Sequence, residues 1–259
     1  MGIWKFDSIK RRILDVANKA SLKRQTSESV LKTFNNDVDK DVLNDTLIIN
    51  QDAETVEFLF LGNSLTYTGV PEEEPDKMRR GLTSTKIEND YVHRLVSLYA
   101  EKHNVNVKFS AVNIANFERG FVEKDFSKDS ADSLSLRYVH VKNPDFVIFQ
   151  IGENVRQEDI SKNGALFFER YCALVNGFEN ARKIVCLPFW PDKEKINVIT
   201  EVALATDSMI CDLSHLGSGL DPDNFASSYK KYKQPGVGSH PGDTGMDRIA
   251  KNIFSVLSE

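Results

Sequence analysis

Glu57-Phe58-Leu59-Phe60-Leu61-Gly62-Asn63-Ser64-Leu65-Thr66 decides how this chain is read. A short apolar run ends in a glycine, and a polar pair with a serine follows. An unbroken apolar run is the pattern of a strand buried on both faces of a parallel sheet. Gly62 permits a tight exit from that strand. Ser64 then falls just past the strand's carboxyl end, where open α/β sheets hold their ligands. Taken alone, the segment reads equally as a strand followed by an ordinary polar loop, so the rest of the chain has to decide.

Outward from that stretch the sequence alternates. Apolar runs predict strands over 56–62, 105–114, 146–151, 183–190 and 208–213, with FVIFQI at 146–151 the clearest. Helical spacing predicts helices over 88–103, 127–141, 166–181, 192–205 and 243–257. A long loop over 63–82 carries Pro71, a triple glutamate and Pro75. Regular β-α-β alternation with continuously apolar strands implies a parallel sheet covered on both faces. Right-handed crossovers make it doubly wound. The expected class is α/β: a doubly wound five-stranded parallel sheet in the flavodoxin-like order 2-1-3-4-5, with strands one and three side by side at the switch point.

The first 50 residues differ. Ile3, Trp4, Phe6, Ile9, Ile13, Val16 and Ala17 recur at helical spacing among seven lysines and arginines in residues 1–24. A basic amphipathic helix either lies on an anionic membrane surface or packs on its own domain with a solvated charged face. The second reading is favoured here. Residues 25–50 are polar and read as short helix and connector. The division expected is therefore 1–50, a basic helical segment with connector, and 51–259, the α/β domain.

Composition narrows the function classes. The 259 residues are 41% apolar, enough for a full core, and the net charge of -5 gives no nucleic-acid signature. No apolar run approaches the length of a membrane span, and no signal peptide is evident, so a cytoplasmic location is expected. Cys172, Cys186 and Cys211 form no CxxC pattern, and the last two sit in apolar runs as expected buried thiols. No His/Cys cluster has zinc spacing, and neither a metal nor a cofactor is expected. The sequence carries no signal for oligomeric state.

The sheet edge is where chemistry converges. Ser64 lies past strand one and Gly152-Glu153-Asn154 past strand three. Asn113 to Gly120 lies past strand two, and His240 precedes the last helix. A serine hydroxyl is a poor nucleophile until a base takes its proton; His240 is placed to do so and to protonate a leaving alcohol. A tetrahedral oxyanion needs preorganised donors, and the Asn154 amide with the N–H groups of Ser64 and Gly120 are the candidates. Each has a plainer reading: Asn154 as a turn cap, Gly120 as a turn glycine, His240 as a surface loop residue. Asn63, Glu153, Trp190 and His215 are candidate substrate-contacting or orienting residues. Trp190 serves equally as core or as a platform for the apolar face of a sugar.

These motifs resemble the SGNH/GDSL hydrolases. FLGNSLT at 60–66 is similar to their first block, with Asn63 in place of the usual aspartate. IGEN at 151–154 resembles their G-x-N-D block with the asparagine one place later. GVGSHPGDTGM at 236–246 resembles the last block. The likeness extends to DYVHRL, FERGF and LPFWP and covers about 55–259. It implies an esterase or deacylase fold with Ser64 and His240 as the catalytic pair. One departure concerns the histidine. The family places an aspartate three residues before it, and here that residue is Val237. A backbone carbonyl, Asp243, Glu153 or Glu118 is then left to orient the imidazole, with Asp243 read rather as the cap of the last helix. A second departure is the late glycine, Gly120. The function expected is a cofactor-free serine ester hydrolase that removes short acyl, O-acetyl-like groups from a carbohydrate. The alternatives are an O-acyltransferase using the same serine and a silent module that binds glycan or protein.

Overall fold

The computed structural model of the chain describes residues 37–39, 42–68, 80–124 and 143–258. The elements in order are β1 (Asp37–Asp39), β2 (Val42–Leu47), β3 (Thr55–Gly62), α1 (Tyr91–His103), β4 (Asn106–Asn113), α2 (Ala115–Gly120) and β5 (Phe146–Gln150). They continue with α3 (Gln157–Asn176), β6 (Arg182–Cys186), α4 (Lys193–Ala205), β7 (Met209–Cys211), α5 (Pro235–Gly238) and α6 (Asp243–Leu257). The expected N-terminal helix, the helix over 127–141 and the middle of the long loop lie outside the described residues.

The strands form one seven-stranded sheet in the order β1-β2-β4-β3-β5-β6-β7. β3 pairs in parallel with β4 on one side and with β5 on the other; β5–β6 and β6–β7 are also parallel. β1 and β2 are antiparallel additions. The sheet is therefore α/β as expected but mixed and seven-stranded, not five-stranded and all parallel. The extra strands come from residues read as connector. VLNDTL shows no alternation and contains Asn44 and Asp45, residues depleted in strands. What makes it a strand is the open edge of β4, which it covers through antiparallel pairing from Val42↔Val112 to Leu47↔Val107.

β3 shows why the core has two halves. Successive side chains of a strand point to opposite faces. Phe58 and Phe60 enter one layer with Tyr91, Val92 and Leu95 of α1 and Met246, Ile249 and Ile253 of α6. Leu59 and Leu61 enter the other with Phe117 of α2, Phe167 and Tyr171 of α3, and Ile199 and Val202 of α4. Both layers are continuous, so β3 is apolar at consecutive positions, and Phe58 to Leu61 are fully buried. Cys186 and Cys211 face each other across β6 and β7 as buried free thiols. No helix among the described residues is long and apolar enough to cross a membrane.

Register sets the rim. Gly62 pairs with Asn113 on β4 and with Gln150 on β5, so three neighbouring strands end level. The residues after each strand are thereby delivered to one edge. The strand expected over 183–190 ends at Cys186, because Pro188 lacks a ladder donor and the chain turns away.

Candidate active site

Ser64 sits in the turn after β3. A Cβ at position 62 would lie 1.9 Å from Thr66 Oγ1, so only glycine lets the chain fold back this tightly. Thr66 and Tyr67 N–H both donate to the Asn63 carbonyl, which closes the turn beneath the serine. The Ser64 Oγ lies 3.0 Å from Nε2 of His240, across 176 positions of sequence. The other imidazole nitrogen, Nδ1, lies 2.8 Å from the carbonyl oxygen of Gly236. A carbonyl only accepts, so Nδ1 carries the proton and Nε2 presents its lone pair to the serine hydroxyl. Burial pushes the His240 pKa below its ordinary value, opposed by the Gly236 hydrogen bond.

The Gly236 carbonyl is available because it lies in α5, a single turn whose backbone bonds bypass it: Ser239 N–H donates to Pro235 and His240 N–H to Val237. Trp190 holds the same turn from outside. Its indole N–H donates to the Ser239 carbonyl at 3.2 Å, and its ring meets the His240 ring edge-on at 5.0 Å.

A strap joins the two loops. Leu82 N–H donates to the Ser64 carbonyl at 2.9 Å, and Thr83 Oγ1 donates to the Pro241 carbonyl at 2.8 Å. Thr85 N–H and Asn89 Nδ2 donate to the Asp243 carboxylate, both at 2.8 Å. Residues 82–85 therefore tie the serine turn to the histidine turn.

Behind Ser64 lies a buried polar cluster. The Asn63 carboxamide donates to Glu153 Oε2 at 2.7 Å, Glu118 Oε1 at 3.3 Å and the Gln150 carbonyl at 3.4 Å, and its oxygen accepts from Leu65 N–H. Glu118, fully buried, also accepts from the N–H groups of Gly152 and Asn154 and from Asn154 Nδ2. Glu153 accepts from Gln150 Nε2 and Phe189 N–H. Burial raises the pKa of both glutamates, and Glu153 raises that of Glu118 further. An aspartate at position 63 would set a third carboxylate against these two. Asparagine supplies hydrogens to both, which accounts for its presence beside the serine.

No protein-family model and no curated protein matches the chain. Solved structures do. A protein from Parabacteroides merdae described as a GDSL-like lipase is 13% identical with a TM-score of 0.52, over 80% of this chain and 97% of that one. Another so described, from Bacteroides uniformis, is 18% identical with a TM-score of 0.51, over 79% and 96%. The chain has the SGNH/GDSL hydrolase fold.

On the SGNH fold the expected residues are placed as follows. Ser64 and His240 are brought together. Asn63 and Glu153 are partners in the cluster beneath the serine, and neither touches the imidazole. Asn154 is on the rim, its amide between Glu118 and Arg119. Gly120, the third expected oxyanion donor, is placed otherwise. It closes α2, where its N–H belongs to the helical ladder. His215 lies exposed in the turn after β7, and its hydrogen bond is made by its backbone carbonyl, to Ser218. Asp243 caps nothing: the N-cap of α6 is Gly242 without a side-chain bond, and the Asp243 carboxylate instead receives the strap. The triad acid is replaced by a backbone group, which no residue-type pattern announces. The strap and Arg119 likewise carry no signal in the sequence, since their partners across the site are 35 or more positions away or belong to the main chain. Gln150 donates to Glu153, three positions on, and no motif in the sequence marks that pair. A cavity of about 230 Å³ lined by Asn143, Pro144 and residues 176–181 opens at the amino-terminal ends of β5 and β6, the opposite end of the strands from Ser64.

Proposed function

We propose that the protein is a serine ester hydrolase that works through an acyl-enzyme, with Ser64 as nucleophile and His240 as base. The observation that carries this reading is the serine hydroxyl 3.0 Å from an imidazole whose far nitrogen is held by the Gly236 carbonyl. Ser64 Oγ attacks the ester carbonyl carbon while its proton passes to His240 Nε2. The oxyanion is received by the Ser64 N–H, which has no acceptor among the described residues, and by the Asn154 side chain. Collapse breaks the bond to the alkoxy oxygen, which leaves with the proton from His240. Water then attacks the acyl-serine, giving its proton to His240, and the carboxylic acid departs as serine recovers its hydrogen.

A backbone carbonyl orients the imidazole but carries no full charge to stabilise the imidazolium. The pair is thus a dyad. Its imidazolium relies on the Gly236 dipole, which suits ester cleavage, where the leaving group is an alkoxide rather than an amine.

We further propose that the substrate carries a short acyl group on a carbohydrate. Trp190, partly exposed and in contact with His240, supports this by offering an aromatic surface at the reacting centre.

The test is labelling with a fluorophosphonate probe together with acetate release from O-acetylated sugars. Wild type is expected to label at Ser64 and to release acetate, and Ser64→Ala to do neither. Equal reactivity of the two overturns the reading. Acetate that appears on an added sugar acceptor rather than in solution reassigns the enzyme as an O-acyltransferase.

A further inference from the structure

The Asn154 carboxamide is held at both ends by consecutive residues of α2. Its nitrogen donates to Glu118 Oε2 at 2.8 Å, and its oxygen accepts from the Arg119 guanidinium at 2.8 Å. Turning the amide over would set its oxygen against the Glu118 carboxylate and its NH2 against the guanidinium. Both contacts would then be between like partners. The charges of α2 therefore select one of the two orientations that an isolated asparagine would occupy about equally.

The selected orientation has a consequence at the serine. A carboxamide NH2 carries two hydrogens. One is bound to Glu118, and the second has no acceptor among the described residues. Glu118 also fixes the backbone on which Asn154 rides, through the N–H groups of Gly152 and Asn154 at 2.6 and 3.2 Å. Gly152 reaches it with φ +132°, a conformation closed to other L residues without strain. The same carboxylate oxygen accepts from Asn63, the residue before Ser64, at 3.3 Å. One buried group thus spans the turn after β3 and the turn after β5, and its neighbour Arg119 holds the other end of the Asn154 side chain.

We propose that Glu118 and Arg119 are positioning residues that hold the Asn154 carboxamide with its nitrogen toward the serine turn, so that its second N–H meets the oxyanion. This rests on the hydrolase reading of Ser64 and His240. The second departure of the chain from the family pattern, the missing early glycine donor, gives the clamp its weight. With Gly120 inside a helix, the Asn154 amide carries a larger share of oxyanion stabilisation than a three-donor site would assign it.

The test uses the full chain with p-nitrophenyl acetate, measuring kcat and KM separately, with thermal unfolding as a control. Asn154→Ala is expected to lower kcat about 10²–10³-fold, the usual loss for one oxyanion donor. Arg119 is exposed, so Arg119→Ala leaves the unfolding temperature unchanged. It is expected to lower kcat about 10- to 100-fold through misplacement of the amide, with KM within about twofold. Arg119→Lys, which still donates to the amide oxygen, recovers part of the loss. The double variant Arg119→Ala/Asn154→Ala is expected to be no slower than Asn154→Ala alone, because both act through one amide. The side-chain amide resonances of Asn154 shift in Arg119→Ala, a readout independent of turnover. Glu118→Gln, which keeps the volume but turns an acceptor into a donor, shifts them as well.

Three results overturn the clamp: an unchanged kcat in Arg119→Ala, additive losses in the double variant, or unmoved Asn154 resonances. If wild type hydrolyses the ester no faster than Ser64→Ala, the hydrolase reading falls and the clamp with it. Ser64-dependent turnover with an unaffected Arg119→Ala removes the clamp alone.

Discussion

His240 is poised by two hydrogen bonds of opposite sense. It accepts at Nε2 and donates at Nδ1, and only the neutral ring does both. Protonation would turn Nε2 into a donor and end its use as a base. Burial lowers the pKa of the ring below the ordinary 6.5, so the neutral form persists into mildly acidic solution. The sign follows: activity is retained as pH falls to 6.5 and is lost only on further acidification. The acid limb of kcat/KM against pH is expected to have its inflection below 6.5, whereas an inflection at 7 or above would contradict a desolvated imidazole. Asn63 makes a related point about residue choice. In a pocket already holding Glu118 and Glu153, a neutral donor satisfies what a third acid would repel.

Elements position the pair. β3 and α5 deliver the serine and the histidine, and the strap ties the loops that carry them. Thr83 is buried and gives its hydroxyl hydrogen to the carbonyl of Pro241, next to His240. Thr83→Val keeps the shape and removes the donor, leaving a buried carbonyl unpaired at about 1–3 kcal/mol. The expected outcome is a stability loss of that size in urea unfolding and a fall in kcat larger than any change in KM. A variant with wild-type kcat would show that the strap supports the fold without setting the geometry. Tyr229 OH donates to the Thr83 carbonyl at 3.1 Å, so the strap is also braced from the loop before α5.

At the scale of the molecule, the sheet is held between two apolar layers, and α6 belongs to both structure and site. Its buried face of Met246, Ile249 and Ile253 closes the core beneath α1, while its first residue, Asp243, anchors the strap. Ile253 lies in the third turn, away from the site residues, and is fully buried. Ile253→Ala is expected to cost about 2–5 kcal/mol in denaturant unfolding. Fluorophosphonate labelling of Ser64 is expected to persist while the variant is folded. A cost below about 1 kcal/mol would mean that the helix is not packed as described. The edges of the sheet also differ: β2 and β1 cover the β4 side, so that edge is antiparallel, and three-residue β7 ends the other.

What the sequence determined by itself was what depends on local pattern. The apolar runs named the parallel strands, because a strand buried on both faces has no other pattern. The 3.6-residue spacing named α1, α4 and α6, and the register of strand ends put Ser64, Asn154 and His240 on one rim. Tertiary structure alone decided the rest, and each case involves a partner without a residue-type signature. β2 is a strand because β4 offers an open edge, not because VLNDTL favours one. Among the groups left open to orient His240, the structure selects the backbone carbonyl of Gly236, a group every residue possesses. Gly120 entered a helix because Phe117 and Phe121 pack on the core either side of it. Glu118 is an acceptor for two turns because long-range winding buries it where N–H groups converge, and sequence distance carries no record of such a meeting.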